Sequence, residues 1–442
     1  MDLAVNTPSL AQQTARRASW QTPGVRDEGR AGTGAELFVS TERPSLLAVC
    51  TTAPWPVTNG YTLRVFHLLQ ELSRVWSITL VSLPSEGGEP PPFDLERFIP
   101  YQLEGTVHAY PWRFDQQPLK AAIDQAIELS RPRRAVVWRG AEGAWFDAPQ
   151  LPAGVVDLID CVPLDLWSGF LIDPDLRGRY RKLRELGVSA YYSRRTVKSF
   201  SSVICAGERD AAWLRWLGRE ENVHVVPNGV LLPERGAGGA RAPQPTLSFI
   251  GTLDFEPNVD AALFLARDIW PRVRAARPDA QLLIAGRNPT PEILALRAVE
   301  GLDVLANVPD MNAVLARSWL SIAPMRGGVG VKNKVLEAWA ASRPVVLTPL
   351  AVNGLKVPEG HEDLVQSGAA ELAEAVIRLF DSPDLAARMG DEARAHVGQH
   401  YAWRNLTGDF DHLLRHAVAD DLTHRNHGFG RSFNAELLPS VA

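Results

Sequence analysis

Residues 326–346 read RGGVGVKNKVLEAWAASRPVV and follow the apolar run WLSIAP, so the order is strand, glycine-rich loop, helix and strand. Free amides at the start of a helix near Val331 can bind an anion, and glycines let phosphate oxygens approach the backbone closely. Lys332 and Lys334 fall in the first helical turn, where positive charge costs about 0.3–1 kcal/mol unless an anion neutralises it. This stretch therefore predicts an anion-binding loop at the end of a buried strand.

The spacing of this loop excludes two common nucleotide motifs. A dinucleotide fingerprint needs a third glycine at position 333, where the chain has Asn333, and a nucleoside triphosphate loop needs a Gly-Lys-Ser/Thr triplet that does not follow. The structural alternative is a flexible surface loop beside an ion pair between Lys334 and Glu337, which share one helix face. The loop alone does not decide between that alternative and a ligand site.

From Ser45 onward, short apolar runs alternate with stretches of helical period, and the pattern occurs twice. The predicted strands are SLLAVCTT, SITLVSL, GVVDLID, SVICAG and VHVVPNG in the first half, and TLSFIG, AQLLIAG, LDVLANV, WLSIAP and PVVLTPL in the second. Such alternation indicates parallel sheets covered on both faces. The predicted fold is therefore α/β, with two doubly wound, Rossmann-like domains facing each other across a cleft. Ligands are expected at the carboxyl ends of the strands.

Length and composition set the expected boundaries. The 442 residues exceed one ordinary core, and 45% hydrophobic with 22% charged residues is typical of a soluble globular protein. The net charge of −5 gives no reason to expect nucleic acid, the three cysteines are too dispersed for a disulfide framework or zinc site, and no stretch suits a membrane span.

We predict a disordered extension over 1–43, an amino-terminal acceptor-binding domain over 44–231, a linker over 232–245, a carboxyl-terminal donor-binding domain over 246–400, a closing helix over 401–420 that crosses back to the amino-terminal domain, and a polar tail over 421–442.

The ordered motifs of both halves resemble one known family. GVGVKNKVLEAWAASRPVV looks like the donor-site signature of retaining GT-B glycosyltransferases of glycosyltransferase family 4, and is more narrowly similar to sugar transferases of bacterial exopolysaccharide systems. The supporting motifs are VVPNGV, FIGTLDFEPNVDAALFLA, LLIAGRNP, LANVPD and HYAWRNLTGDFDHLL. The resemblance covers about residues 45–415. It implies transfer of a hexose from a nucleotide sugar to a glycan or lipid-linked acceptor, with no cofactor and no metal ion.

The resemblance also assigns residues to the donor site. Glu337 takes the place of the glutamate that binds the donor ribose, and Lys334 would neutralise the leaving diphosphate, so both are expected to be catalytic. Gly327, Gly328, Val329, Gly330, Val331 and Lys332 would surround the donor sugar and diphosphate. Gly251 and Thr252 would lie near the diphosphate, and Arg287 and Val308 would flank the base, although Val308 also suits a plain strand-end hydrophobe.

The chain departs from the family pattern at two places. The family carries a second glutamate eight positions before Glu337, where this chain has Val329, so backbone amides would have to bind the donor sugar there. The family often has an Arg and a Lys after the Gly251 strand, where this chain has Leu253 and Asn258. Lys332 and Lys334 are the candidates to supply the missing positive charge, with Lys334 the stronger one.

Acceptor-binding candidates lie in the amino-terminal half. Asn59 and Gly60 form a turn that leads into the helix carrying Arg64, a geometry that can reach phosphates across the cleft; an ordinary strand-to-helix turn is the alternative. Asp160 and Asp165 follow the strand GVVDLID and could contact acceptor hydroxyls or act as a base, although such carboxylates often only cap helices.

Residues 177–200 predict a further partner. They hold eight Lys/Arg and one acid, a net +7 in a chain of net −5, interleaved with aromatic residues. A basic, aromatic helix can lie on an anionic membrane surface, which would suit a lipid-linked acceptor; a solvated helix face is the alternative. The expected location is therefore the cytoplasm, with peripheral contact on the inner face of the membrane.

Three other functions compete with this interpretation. The triplet Asp173-Pro174-Asp175 is similar to the metal-binding Asp-x-Asp of the other large glycosyltransferase fold, but a triplet this short is common by chance. GT-B-like nucleotide-sugar epimerases need catalytic carboxylates and histidines that the sequence does not place. A non-catalytic sugar-nucleotide or glycan-binding module is compatible with Val329 and the missing Arg/Lys pair.

The donor-site assignment predicts different defects at two positions. Glu337→Ala should weaken nucleotide binding about ten- to a hundredfold, because a hydrogen bond to a charged group is lost. Lys334→Ala should lower turnover about a hundredfold or more, because Lys334 faces charge that grows as the phosphate leaves. Val329→Ala is the matched control, since only its backbone would contact the donor. Calorimetry and turnover measure all three variants; wild-type values for both Glu337→Ala and Lys334→Ala would place the donor site elsewhere.

Overall fold

The computed structural model describes residues 43–85, 90–102, 117–138, 151, 154–172, 175–218, 222–236, 238–328 and 330–417. The predicted extension (apart from Arg43), the polar tail and residues 418–420 of the predicted closing segment lie outside these ranges, as does Val329. The remaining elements account for the two predicted halves.

The amino-terminal domain is built on a seven-stranded parallel sheet with the order β3-β2-β1-β4-β5-β6-β7. The strands are β1 (Ser45–Cys50), β2 (Ser77–Ser82), β3 (Arg97–Pro100), β4 (Arg134–Trp138), β5 (Gly154–Ile159), β6 (Ser202–Cys205) and β7 (Val223–Val225). The helices are α1 (Gly60–Leu72), α2 (Gln117–Ser130), α3 (Val162–Ile172), α4 (Leu176–Ser199) and α5 (Glu208–Gly218). Strands β3 and β4 are not among the sequence predictions.

The carboxyl-terminal domain has a five-stranded parallel sheet with the order β10-β9-β8-β11-β12. Its strands are β8 (Thr246–Ile250), β9 (Gln281–Gly286), β10 (Leu302–Ala306), β11 (Leu320–Ala323) and β12 (Val345–Leu347). Its helices are α6 (Glu256–Phe264), α7 (Trp270–Ala276), α8 (Pro291–Ala295), α9 (Met311–Arg317), α10 (Asn333–Ala340), α11 (Ala369–Asp381) and α12 (Pro383–His400). The predicted α/β fold with two Rossmann-like sheets is confirmed.

The stretch NVDAALFLARDIWPRVRAARP, residues 258–278, has the period of one long helix, but the helix is interrupted. A π-helical turn, Leu265–Ile269, separates α6 from α7. Pro271 lies in the first turn of α7 and has no backbone N–H to donate, so the regular hydrogen-bond ladder cannot continue through it. The apolar face still packs on the sheet, because Leu265, Ile269 and Trp270 are buried.

The last helix, α13 (Trp403–His416), packs on the amino-terminal domain. The Phe410 ring stacks on Trp138 of β4 at 5.8 Å between centroids, and Trp403 stacks on His67 of α1 at 5.3 Å. The indole N–H of Trp76 donates to Asp411 at 2.6 Å. Because these rings bury a large apolar area, α13 fastens the end of the described chain to the first sheet.

A fully buried ion pair joins α1 to β5. Arg64 Nε donates to Asp157 Oδ2 at 2.7 Å, and the two side chains are 1% and 0% exposed. Arg64 Nη1 also donates to the Pro227 carbonyl and the Asn228 side chain, at 3.0 and 3.1 Å. Removing one charge would leave the other buried and unpaired, which is the costly case for such pairs.

We therefore expect Arg64→Met to lower the free energy of unfolding by about 3–5 kcal/mol. The matched control is Arg74→Met on the same chain segment. Arg74 pairs with Glu71 at 2.6 Å but is 61% exposed, so its loss should cost less than about 1 kcal/mol. Urea unfolding followed by circular dichroism measures both, and equal losses would contradict the assignment.

Candidate active site

The glycine-rich loop after β11 lies against the amino-terminal domain. Gly328 and Gly330 have φ of 91° and 72°, in the left-handed region that favours glycine. A Cβ at Gly330 would lie 2.3 Å from Asp160 Oδ1, so a side chain there would displace the Asp160 carboxylate. The loop thus brings the start of α10 to the edge of the cleft.

Lys334 occupies the position between this loop and the end of β8. Its Nζ donates to Asn258 Oδ1 at 2.6 Å and lies 4.4 Å from the centroid of the Phe249 ring. A Cβ at Gly251 would come within 3.1 Å of the same Nζ. Lys334 therefore supplies positive charge beside Asn258, where the family pattern carries a lysine of its own.

The electrostatic environment of Lys334 favours its neutral form in the absence of a ligand. Removal from water, and in second place the positive charge of Lys332, lower the pKa of Lys334 to about 7, against a smaller opposing effect of Glu337. In the part of the chain that the structure describes, Lys334 and Glu337 form no ion pair. The surface ion pair considered from the sequence is therefore absent.

Glu337 lies one turn further along α10 and is half-buried. Burial raises the pKa of its carboxyl, with Lys334 and Arg287 acting in the opposite direction. Among the described residues, its side chain has no hydrogen-bond donor. A carboxyl held in a cavity wall without a donor is suited to accept hydrogen bonds from the hydroxyls of a ligand.

Three adjoining cavities follow the cleft between the domains. The first, of about 390 Å³, is lined by Gly251, Thr252, Asn258, Lys334 and Glu337, among others. The second, of about 560 Å³, shares Gly251 and Glu337 and extends along the ends of β9 and β10 to Arg287 and Val308. The third, of about 470 Å³, extends the other way, to Asn59, Gly60, Asp160, Gly330 and Val331. Most of the predicted donor residues, together with Asn59, Gly60 and Asp160 of the acceptor set, therefore line these adjoining cavities.

The side chains of Lys332 and Lys334 have different hydrogen-bond partners. Lys332 is the N-cap of α10, with extended backbone angles, and its buried Nζ donates to the Gly330 carbonyl at 3.1 Å. Burial lowers the pKa of Lys332, and Asp160, Asp210 and Asp165 act to raise it, in that order. Its charge therefore acts towards the carboxylates of the amino-terminal domain, and Lys334 alone of the two faces Asn258.

Asp160 is presented by a strained turn. The preceding residue, Ile159, has a φ of 66°, which is rare for a β-branched residue, and its N–H donates to Asp157 Oδ1 at 3.1 Å. The side chain of Asp160 is exposed to the cleft, yet its surroundings exclude enough water, with Asp210 as a second cause, to raise its pKa to about 6. Arg64, through Asp157, therefore supports the turn that places Asp160.

Arg64 itself lies below the cleft surface. Its contacts with Asp157, Pro227 and Asn228 hold it in the interior, and it does not line the three cavities. The expectation that Arg64 reaches phosphates across the cleft does not match this arrangement, because the guanidinium is committed to a buried carboxylate. Asn59, at the start of the same helix, does line the groove. Its side chain accepts from the Thr62 amide at 3.0 Å and so caps α1.

Two contacts join the domains next to the groove. Arg287 donates across it to the carbonyl of Thr58, and Asn228 Nδ2 donates to Asn333 Oδ1 at 3.1 Å.

Asn228 and Asp210 are not among the site residues predicted from the sequence. The motif VVPNGV contains Asn228, so that signal was present; Asp210 sits in an ordinary helix, where only burial distinguishes it.

The remaining predicted residues lie at the margins. Gly327 and Gly328 belong to the loop but do not line the three cavities, and a Cβ at Gly328 would meet Pro257 at 3.2 Å. Asp165 lies in the first turn of α3. Asp173 and Pro174 are outside the described residues, and Asp175 caps α4 by accepting from the Arg177 and Gly178 amides. Within the described ranges, no group of three or more His, Cys, Asp or Glu residues could hold a metal ion.

The sequence comparisons identify the carboxyl-terminal domain. Residues 244–382 match the family described as "Glycosyl transferases group 1". The chain is 29% identical over 278 residues to a GDP-mannose-dependent monoacylated alpha-(1-6)-phosphatidylinositol monomannoside mannosyltransferase of Corynebacterium glutamicum, covering 56% of this chain and 67% of that one. It is 30% identical over 177 residues to a phosphatidyl-myo-inositol mannosyltransferase of Propionibacterium freudenreichii, covering 37% of this chain and 43% of that one.

The structural comparison supports the fold over a longer range. Sucrose-phosphate synthase from Thermosynechococcus elongatus superimposes with a TM-score of 0.63 at 15% identity, covering 84% of this chain and 98% of that one. At this identity the likeness concerns the fold alone. Taken with the sequence matches, it makes the chain a glycosyltransferase with the GT-B fold.

The pKa of Lys334 predicts how donor affinity depends on pH. A bound diphosphate favours the ammonium form and raises a pKa that is about 7 in the free protein. Affinity should therefore be highest below pH 7 and fall above it, by up to about tenfold per pH unit, until the pH reaches the pKa of the complex. Calorimetry with a nucleotide sugar from pH 7 to 9 tests this, since its bridging diphosphate does not ionise there.

Lys334→Met is the control for this titration. It should bind more weakly at pH 7 and show little change up to pH 9, because the titrating group is gone. An affinity of the unchanged protein that stays constant across this range would contradict the role of Lys334 in holding the diphosphate.

Proposed function

We propose that the chain is a retaining hexosyltransferase that moves a mannose from GDP-mannose to a lipid-linked acceptor, as a member of glycosyltransferase family 4. The main observation behind this proposal is the half-buried Glu337 carboxyl, which accepts no hydrogen bond from a described residue. It lies beside Lys334, where the first two cavities join. The two side chains are three residues apart on α10 and line the same cavity, where the carboxylate can accept from ribose hydroxyls and the ammonium can bind phosphate. The names of the two mannosyltransferase relatives support mannose and a lipid acceptor.

The donor fits the groove in one direction. The base would lie in the second cavity near Arg287 and Val308, the ribose at Glu337, and the diphosphate beside Gly251, Thr252 and Lys334. The sugar would then project towards Gly330 and Asp160 in the third cavity, where the acceptor enters. Backbone amides of the loop would bind the sugar where the family pattern has a glutamate.

The chemistry we propose needs no covalent intermediate and no metal ion. The acceptor hydroxyl attacks the anomeric carbon from the face that the diphosphate leaves, and the leaving phosphate oxygen takes the hydroxyl proton. Lys334 stabilises the charge that develops on the diphosphate. Asp160 orients the acceptor hydroxyls.

Transfer from GDP-mannose to a phosphatidylinositol lipid tests this function, with UDP-glucose as the alternative donor. We expect α-linked mannosyl lipid, identified by mass spectrometry and by the one-bond carbon–proton coupling at the anomeric carbon of the product. A β-linked product would overturn retention, and tight GDP-mannose binding with neither transfer nor donor hydrolysis would favour a binding module instead. Exclusive use of UDP-glucose, with a polysaccharide acceptor, would favour the exopolysaccharide alternative.

The acceptor is proposed to arrive from a membrane surface. Helix α3 begins beside Asp160, and its 11 residues span roughly 16 Å to its far end. Around that end, apolar side chains face solvent: Leu171, Leu176, Tyr180 and Leu183 are 57%, 78%, 72% and 48% exposed. Arg177, Arg181 and Arg184 of α4 lie among them in sequence. Exposed apolar and basic side chains at one end of a helical hairpin fit an anionic bilayer better than a solvated face. No helix in the described part of the chain is long and apolar enough to cross a membrane.

Membrane contact predicts a selective loss of vesicle binding. The double variant Leu176→Glu/Tyr180→Glu should cosediment with phosphatidylglycerol vesicles at least tenfold less, because two apolar contacts are lost and two negative charges are added. Leu129→Glu changes an exposed leucine on α2 of the same domain and should leave binding nearly unchanged. Equal binding of the unchanged protein to anionic and neutral vesicles would exclude this surface.

A further inference from the structure

A basic cavity lies at the edge of the carboxyl-terminal sheet opposite the donor groove. It has a volume of about 230 Å³, and its walls come from the linker, the turn before β12 and helix α12. Arg343 precedes β12 by two residues, so the cavity is at the amino ends of these parallel strands, whereas the donor groove is at their carboxyl ends. The two sites are therefore separated by the thickness of the domain.

Positive charge dominates the lining. Four guanidinium groups, of Arg235, Arg241, Arg343 and Arg394, face two carboxylates, those of Glu234 and Asp391. Asp391 accepts from Arg235 at 3.1 Å, and that ion pair is exposed on both sides. Glu234 forms no ion pair with a described residue. The cavity thus carries about two unbalanced positive charges.

Two of the arginines have a structural reason to be there. Arg343 donates to the carbonyls of Leu315 and Ala316, at 2.8 and 3.1 Å, at the end of α9. Arg394 donates to the carbonyl of Ala340 at the end of α10 and to that of Pro233 in the linker, the latter at 2.6 Å. These bonds cap helix carboxyl ends and hold both guanidinium groups rigid.

Arg241 has no such reason. It is half-buried, its guanidinium carbon lies 5.8 Å from the centroid of the Trp319 ring, and it makes no hydrogen bond to a described residue. Burial lowers the pKa of Arg343 to about 10, with Arg241 as the next cause, and Arg241 is itself shifted downward by burial. A guanidinium with five N–H donors and none engaged, next to two that are fixed, is suited to complete a ligand shell.

We propose that this cavity is a binding site for a small phosphate-class dianion, separate from the donor groove. Planar guanidinium groups match the oxygen geometry of phosphate, and the volume admits a phosphate or diphosphate group. The ligand could be free inorganic phosphate or diphosphate, or the diphosphate end of a nucleotide. Because Arg235 and Arg241 belong to the linker, the bound anion ties the linker to α12 and to the turn before β12.

The linker is already closely packed at this point, so the site is preformed on one side. Gly238 has a φ of 87°, and a Cβ there would lie 2.5 Å from the Asn312 carbonyl. The Ala242 amide donates to the Arg317 carbonyl at 2.9 Å, and the Trp319 indole donates to the Ala242 carbonyl at 2.8 Å. These contacts place Arg241 before any ligand arrives, which reduces the ordering cost of binding.

Inorganic diphosphate binding, measured by calorimetry on the full chain, tests the proposal. Lys334→Met is used as the background to weaken the donor groove. In that background we expect one remaining site, weakened tenfold or more by Arg241→Ser and largely restored by Arg241→Lys. Arg267→Ser is the matched control, because Arg267 is an exposed arginine of the same domain outside the cavity lining, and it should change nothing.

The outcomes separate the proposal from its alternatives. Diphosphate binding that is lost entirely in Lys334→Met, or that Arg241→Ser leaves unchanged, would overturn the site. Arg235→Ser should also weaken diphosphate binding, and a loss of folding would not explain that result, because Arg235 is 73% exposed and Asp391 is its one hydrogen-bond partner among the described residues. If GDP binds the Lys334→Met protein more tightly than diphosphate does, and Arg241→Ser removes both, the site takes nucleotides. Equal affinities assign it to the inorganic anion.

Discussion

The site depends on the reversal of strand order in each parallel sheet. Right-handed crossovers build outward from β1 and β8 in one direction, and then continue on the other side with β4 and β11. The loops after these central strands therefore separate, and the gap between them opens at the carboxyl edge of the sheet. The loop after β8 carries Gly251, and the loop after β11 carries Gly330 and leads to Lys334. The other residues of the groove lie around this gap.

The positive charge of the groove comes from a different position than in the family pattern. The usual Arg and Lys after the first strand of the donor domain are absent, and Asn258 accepts a hydrogen bond from Lys334 instead. A lysine that reaches the site from α10 is held by an amide and an aromatic face, so it has no carboxylate to neutralise it. Burial, and in second place the positive charge of Lys332, lower the pKa of Lys334, and a bound phosphate would favour its charged form.

The two domains are coupled by polar contacts of very different kinds. Buried contacts such as the Arg64–Asp157 pair organise one domain internally and define the turn at Ile159. The contacts across the cleft are single hydrogen bonds, an exposed one from Arg287 to Thr58 and a part-buried one from Asn228 to Asn333. Apolar packing adds to these contacts, since Ala206 and Val230 of the amino-terminal half belong to the hydrophobic core cluster of the carboxyl-terminal domain. The packing of α13 against Trp138 and His67 is a further connection between the two domains.

The sequence by itself determined the fold class, the two sheets and the loop that starts at Gly327, because alternating apolar runs and glycine spacing are local signals. It also predicted Lys334 and Glu337 as site residues through the family resemblance, and in the structure both line the first cavity. Only the tertiary structure decided which group each charged side chain contacts. Lys332 and Lys334 are two residues apart in sequence, yet Lys332 turns to the carboxylates of Asp160 and Asp210 while Lys334 turns to Asn258. Arg64 was assigned to the cleft from its helix and lies under it, because its partner Asp157 comes from a strand 93 residues away. Local patterns specify which face of an element is polar, but the partner of a polar side chain is set by how distant segments pack.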